Sequence, residues 1–228
     1  MNNPEVNIQK KSRFIYLTGI AILIFVIIAF GSAAIIQPYR VERYIKPKVI
    51  IHISLIMGWL ILFIIQSRLA IKGAIQKHHK NLLIGALLVL LITLQAIWLT
   101  YEWGDVNRFI GESRDVVAFS ILFIAGIILA KNGKIEAHKR LILIATLNLL
   151  TPAVTRFGFI FDWSGPITLI LTILIWILIP VLYDLTTRKS IHRATIGGIV
   201  FSIFSVIVMI AMIISPIRTW IETQLFTQ

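Results

Sequence analysis

Cysteine is absent from the 228 residues, which removes disulfides, thiolate metal sites and iron–sulfur clusters from consideration. Charge is scarce at 14% of residues, and acidic charge scarcer still, with 10 Asp and Glu against 22 Lys and Arg. Acidic side chains are essentially missing from the apolar stretches, which argues against a carboxylate-driven proton or cation pump. Also missing are a glycine-rich phosphate loop, a nucleophile elbow, an HExxH zinc motif and a paired-carboxylate arrangement. The sequence assigns no catalytic residue, so enzymatic activity stays open.

What fills the chain instead is hydrocarbon. Hydrophobic residues make up 58% of it and the mean hydropathy is +0.90, beyond what a water-soluble domain of this length tolerates. A membrane span needs about 20 predominantly apolar residues to cross roughly 30 Å of hydrocarbon. Seven stretches approach that: Phe14–Ile36, Val49–Gln66, Leu82–Thr100, Val116–Ala130, Leu141–Val154, Ile167–Tyr183 and Thr195–Ser215. The fourth and fifth are short and are expected to extend into their polar flanks. Runs such as Leu87-Leu88-Val89-Leu90-Leu91-Ile92 do not alternate as barrel strands do. In lipid, unmet backbone hydrogen bonds force helix despite the β-branched content. The expected fold is therefore all-α, a polytopic bundle of about seven transmembrane helices. The first begins after Lys10-Lys11-Ser12-Arg13; its apolar run is too long for a signal peptide and reads as an uncleaved helix.

With the N-terminus inside, the inner segments hold 14 Lys and Arg and the outer segments 8, while acidic residues number 3 inside and 7 outside. The positive-inside rule then places the N-terminus in the cytoplasm. The outer loop with Arg40, Arg43, Lys46 and Lys48 runs against the trend. The expected location is a bacterial cytoplasmic (inner) membrane. A pI near 10.3 is explained by basic loops beside anionic lipid headgroups, at about 1 kcal/mol per cation, with no need for nucleic acid. The lipid bilayer is the expected partner, and the sequence names no protein partner.

No linker or low-complexity tract divides the chain, so one integral membrane domain is expected over residues 1–228: helix one plus hairpins at about 49–100, 116–155 and 167–215. The hairpins repeat. At an offset of 60, Ile61–Leu90 matches Ile121–Leu150 at 13 of 30 positions. The aligned loops, Leu69-Ala70…Gly73…Ile75…His78 and Leu129-Ala130…Gly133…Ile135…His138, carry more weight than matches between Leu-rich helices. Tyr183 to Arg193 is a looser third copy. The repeats share one orientation, unlike the inverted pairs common in transporters.

Each copy ends on a histidine beside cations: Lys77-His78-His79-Lys80, His138-Lys139-Arg140 and His192-Arg193. Neutral imidazoles at one depth on neighbouring helices can hold haem iron or a divalent metal, making His78, His79, His138 and His192 the candidate ligands. The competing reading is interfacial: cations at a helix start that meet lipid phosphate. A separate polar seam runs His52, Trp59 and Gln66 at seven-residue spacing on one helix face, where a small or lipid-like solute could pass. Gln95, Trp98 and Glu102 share another face, and Asn148, Pro152 and Arg156 lie on the fifth helix. Pro152 is expected to kink that helix, with Asn148 or Thr151 meeting freed carbonyls. Arg156 is expected to pair with Glu102, Asp105 or Asp162 at headgroup level.

His52-x-x-x-x-Met57-x-Trp59, His78-His79-Lys80 with Gly85, and His138-Lys139-Arg140 running to Thr155-Arg156 resemble a bacterial family of multi-pass membrane proteins of unknown function. That family opens alternate helices on a His-Arg motif; here Gly85 falls later than usual and Leu141-Ile142 stands where Met is common. More weakly, the chain resembles the di-haem b-type membrane cytochromes that reduce ferric iron. Their four histidines form one pair per membrane side, whereas His52 lacks an outer partner. Three functions are therefore carried forward: an accessory or structural membrane protein, a haem- or metal-binding redox protein, and a small-molecule or lipid carrier.

Overall fold

Helix is what these residues must form in lipid, and helix is what they form. The computed structural model describes residues 4–37 and 46–226, so Arg40 and Arg43 lie outside the described residues. Among the described residues ten helices follow in order: α1 Pro4–Ile36, α2 Pro47–Ile71, α3 Ile75–Lys80, α4 Leu82–Glu102, α5 Val106–Lys131, α6 Ile135–Asn148, α7 Thr151–Ile160, α8 Gly165–Arg188, α9 Arg193–Ile214 and α10 Pro216–Phe226. No strand occurs among the described residues. Among the described residues seven helical segments are long and apolar enough to cross a membrane, with α3–α4 and α6–α7 each counting as one. The chain is thus an all-helical bundle with the spans of a multi-pass membrane protein.

The two short spans are the ones whose limits shift most. The fourth starts at Val106 rather than near Val116, because Asp105 caps it: its carboxylate accepts the Arg108 N–H at 2.9 Å. The fifth runs Ile135–Ile160 and is the most enclosed of the seven. It is broken at Leu149–Leu150. The break precedes Pro152 because that residue takes a first-turn position of α7, where a missing N–H costs nothing.

Packing resolves into two compact units. One holds residues 1–89 and 150–192, in which α1 packs along α2, α7 and α8. Phe14 sits on Tyr183 and Phe25 on Phe157, with ring centroids 5.4 and 5.2 Å apart. The other holds residues 90–149 and 193–228, where α5, α6 and α9 pack on one another and α10 lies on α5 and α9. Gly198 lets α9 approach α6 closely, since a Cβ there would stand 2.6 Å from Ile144 Cδ1.

The repeated loops adopt the same turn. Gly73 and Gly133 both have positive φ, +66° and +74°, as a Schellman ending requires of its left-handed residue. Ala74 N–H bonds Leu69 O at 3.0 Å and Gly73 N–H bonds Ala70 O at 3.3 Å; the counterparts are Lys134 to Leu129 at 2.8 Å and Gly133 to Ala130 at 3.0 Å. The third loop differs, placing Lys189 in the left-handed region.

Candidate functional site

The densest buried polar group in a span is centred on Arg114. This arginine lies eight residues into α5, about 12 Å along the helix axis, so it sits within the span rather than at its end. Its guanidinium pairs with the neighbouring Asp115 carboxylate, both side chains being over 90% buried. Nη1 also donates to Asn148 Oδ1 and to Ser205 Oγ, each at 3.3 Å.

Asn148 relays the network onward. Its Nδ2 donates to Ser202 Oγ at 3.0 Å and to the Ile144 carbonyl at 2.9 Å. Donors face acceptors at both ends of the amide, so its orientation is chemically determined. Ser205 Oγ in turn donates to Ser202 O at 2.7 Å. Three helices, α5, α6 and α9, are thereby tied by one neutral network. In hydrocarbon the alternative for each group is an unmet hydrogen bond or a bare charge. Asn148 also ends α6 at the helix break, and a cation is favourable near that negative dipole end.

Asn148 is the one member that sequence reasoning selected. Arg114 and Asp115 stand just before Val116, where the fourth apolar stretch begins, and Ser202 and Ser205 lie inside the last stretch, Thr195–Ser215. The available signals were Asp105 as an N-cap and the Arg108–Glu112 spacing, which forms a 2.6 Å ion pair on α5.

The histidines are placed differently. Gln66 Nε2 donates to the His78 carbonyl at 3.2 Å, joining two of the selected residues. His78 and His79 have ring centroids 6.1 Å apart; His79 is exposed and His78 half-buried. His138 Nδ1 lies 3.0 Å from the Gly126 carbonyl. A carbonyl only accepts, so Nδ1 carries the proton and Nε2 is the ring's imine nitrogen when neutral. The His192 backbone N–H donates to the fully buried Asp184 at 2.7 Å. In each loop the histidine position is therefore tied back to the preceding helix. Among the described residues, no group of three His, Cys, Asp or Glu is placed to hold a metal ion.

The cations beside His138 are also committed. Arg140 is fully buried and bonds Glu136 through its backbone carbonyl and, at 2.9 Å, its carboxylate. Lys139 reaches the same carboxylate at 3.4 Å.

Of the seam residues, Trp59 is buried, 3% exposed, while His52 and Gln66 are half-buried. Gln95 is half-buried and Glu102 exposed. Arg156 stands over the Phe30 ring at 4.4 Å and donates to the Pro152 carbonyl at 3.0 Å.

Compared with known proteins, the chain matches no family model, no curated sequence and no solved structure.

Proposed function

We propose that this multi-pass membrane protein has an accessory, structural role, with its buried polar groups spent on holding helices together. The observation that supports it is the Arg114 network: a charged pair made neutral within itself and bonded across α5, α6 and α9. Removing one member of a buried pair strands the other charge, at about 3–5 kcal/mol, whereas removing both is close to neutral. In this reading the N-terminus and basic loops lie in the cytoplasm of a bacterial cell. There the exposed Lys77, Lys80, Lys189 and Arg193 meet anionic headgroups, each contributing about 1 kcal/mol.

The test compares thermal unfolding in detergent of the wild type, Arg114→Met and the Arg114→Met/Asp115→Leu pair, beside binding of small anions to each. Loss in the single variant, recovery in the pair and no anion binding by the wild type support the structural role. A single variant as stable as the wild type that has lost anion binding overturns it and makes the cluster a ligand site.

One observation favours a second reading, haem or divalent-metal binding with His138 as a ligand. The Nδ1–Gly126 bond fixes tautomer and ring orientation, as outer partners of ligating histidines do. Bound haem would supply one-electron chemistry. A Soret band or stoichiometric metal in the wild type, lost on His78→Ala/His138→Ala/His192→Ala, would establish it; colourless, metal-free protein from haem- and metal-supplied cells would end it.

A further inference from the structure

We propose that α10 is an in-plane membrane helix, bound by its apolar flank to the leaflet at the end of α9, with Trp220 and Ile217 inserted among the lipids. Three observations place it there. The first is its level. Ile221 of α10 is buried against Val106 and Ile110, in the first two turns of α5. That end of α5 carries the marks of a headgroup layer: the Asp105 cap, the Arg108–Glu112 pair and Arg108 stacked 3.3 Å over the Trp103 ring. Arginine, carboxylates and tryptophan gather where hydrocarbon meets water.

The second observation is the division of the helix surface. At about 100° per residue, Ile221 and Arg218 point to the protein, and Arg218 Nε donates to Asn107 Oδ1 at 2.9 Å. Thr219 and Thr223 occupy a polar flank and are exposed. Trp220 and Ile217 share the opposite flank with Gln224, and are 65% and 50% exposed. An apolar flank carrying Trp220, set apart from a flank of exposed threonines, describes an interfacial helix.

Continuity is the third. Ser215 and Pro216 turn the chain directly out of α9, and the Ser215 hydroxyl takes the Ile217 N–H at 3.3 Å. Exposed apolar positions then run Ile207, Ile210, Ile214, Ile217, Trp220 from the span into α10. The lipid-facing surface of α9 thus passes into the flank of α10. The one charge pair of α10, Arg218 with Glu222 at 3.3 Å, is neutral, so attachment rests on apolar burial and not on anionic lipid.

The absence of native cysteine makes the test direct. Ile217→Cys, Trp220→Cys, Thr219→Cys and Thr223→Cys are each spin-labelled in the full chain and reconstituted into phosphatidylcholine vesicles. Accessibility to dissolved oxygen and to a water-soluble nickel chelate is then compared. Labels at 217 and 220 should show an oxygen-to-nickel ratio several-fold above those at 219 and 223, unchanged by added anionic lipid or salt. All four positions are exposed and none belongs to the Val106–Ile110–Ile221 cluster, so folding survives the changes. Labels at 217 and 220 that reach the nickel chelate would overturn the proposal by showing water. Labels shielded from both reagents would overturn it by showing a protein partner, such as a second copy.

Discussion

His138 Nδ1 and the Gly126 carbonyl stand 3.0 Å apart, and the aligned positions of the preceding hairpin, His78 and Gln66, are also bonded, at 3.2 Å. The direction is exchanged. In one hairpin the histidine side chain reaches a backbone carbonyl; in the other the histidine supplies the carbonyl and glutamine the side chain. A closing hydrogen bond at this position is what the repeat retains, more than the chemistry of imidazole.

That distinction predicts the behaviour of two substitutions. His138→Asn keeps a donor near Nδ1 and should leave the melting temperature within error of the wild type. His138→Leu should cost about 1 kcal/mol, the ordinary worth of one hydrogen bond. Thermal unfolding in detergent measures both. If Asn and Leu destabilise equally, the Gly126 bond is not what holds this turn.

Gly73 and Gly133 should respond alike to alanine. Neither position crowds a Cβ, as nothing lies within 4 Å of either, so the whole cost is the left-handed backbone at φ +66° and +74°. That is about 1–2 kcal/mol for a residue with a Cβ. Unfolding of Gly73→Ala and Gly133→Ala should show losses equal to within a few tenths of that range. A loss at one site only would mean the two turns are not the same device.

The repeat was legible because a Schellman turn needs its glycine at a fixed offset, and apolar run length exposed seven spans because lipid leaves the backbone no alternative. Two features were not legible. Hydropathy penalises Arg114 and Asp115 and so pushed the start of the fourth span to Val116, whereas the structure begins it at Val106. Charges adjacent in sequence look like a solvated flank; only the approach of Asn148 and Ser205 from other helices makes them interior. The expected kink at Pro152 also appears as a break at Leu149–Leu150, because proline starts the second segment and does not bend a continuous one.

Two adjacent glycines should give opposite signs. A Cβ on Gly198 meets Ile144 Cδ1 at 2.6 Å, and nothing lies within 4 Å of one on Gly197. Ile144 is fully buried and has little room to yield, so Gly198→Ala should cost about 1–2 kcal/mol by overpacking. Gly197→Ala should be neutral or stabilise by up to about 1 kcal/mol through helix propensity. Adding Ile144→Val to Gly198→Ala deletes the clashing methyl and should recover most of the loss. No recovery would show that α6 and α9 are held apart by something other than that contact.

Asn148 should prove the most sensitive neutral residue of the Arg114 network, because it works in two directions. It accepts from Arg114 at 3.3 Å and donates to Ser202 at 3.0 Å. The second bond is of the neutral interhelical kind, worth about 0.6 kcal/mol in membranes. The first is charge-assisted and worth about 1.5 kcal/mol or more. Asn148→Ala should therefore cost about 2 kcal/mol and Ser202→Ala about 0.6 kcal/mol, with a double-mutant coupling near the smaller figure. Arg114 then loses one acceptor while keeping Asp115 and Ser205, so the variant should still fold. Stability of the two single variants and the double in detergent decides the matter. An Asn148→Ala loss no larger than that of Ser202→Ala would place the weight of the network on the Arg114–Asp115 pair alone and remove the interhelical tie from the structural role.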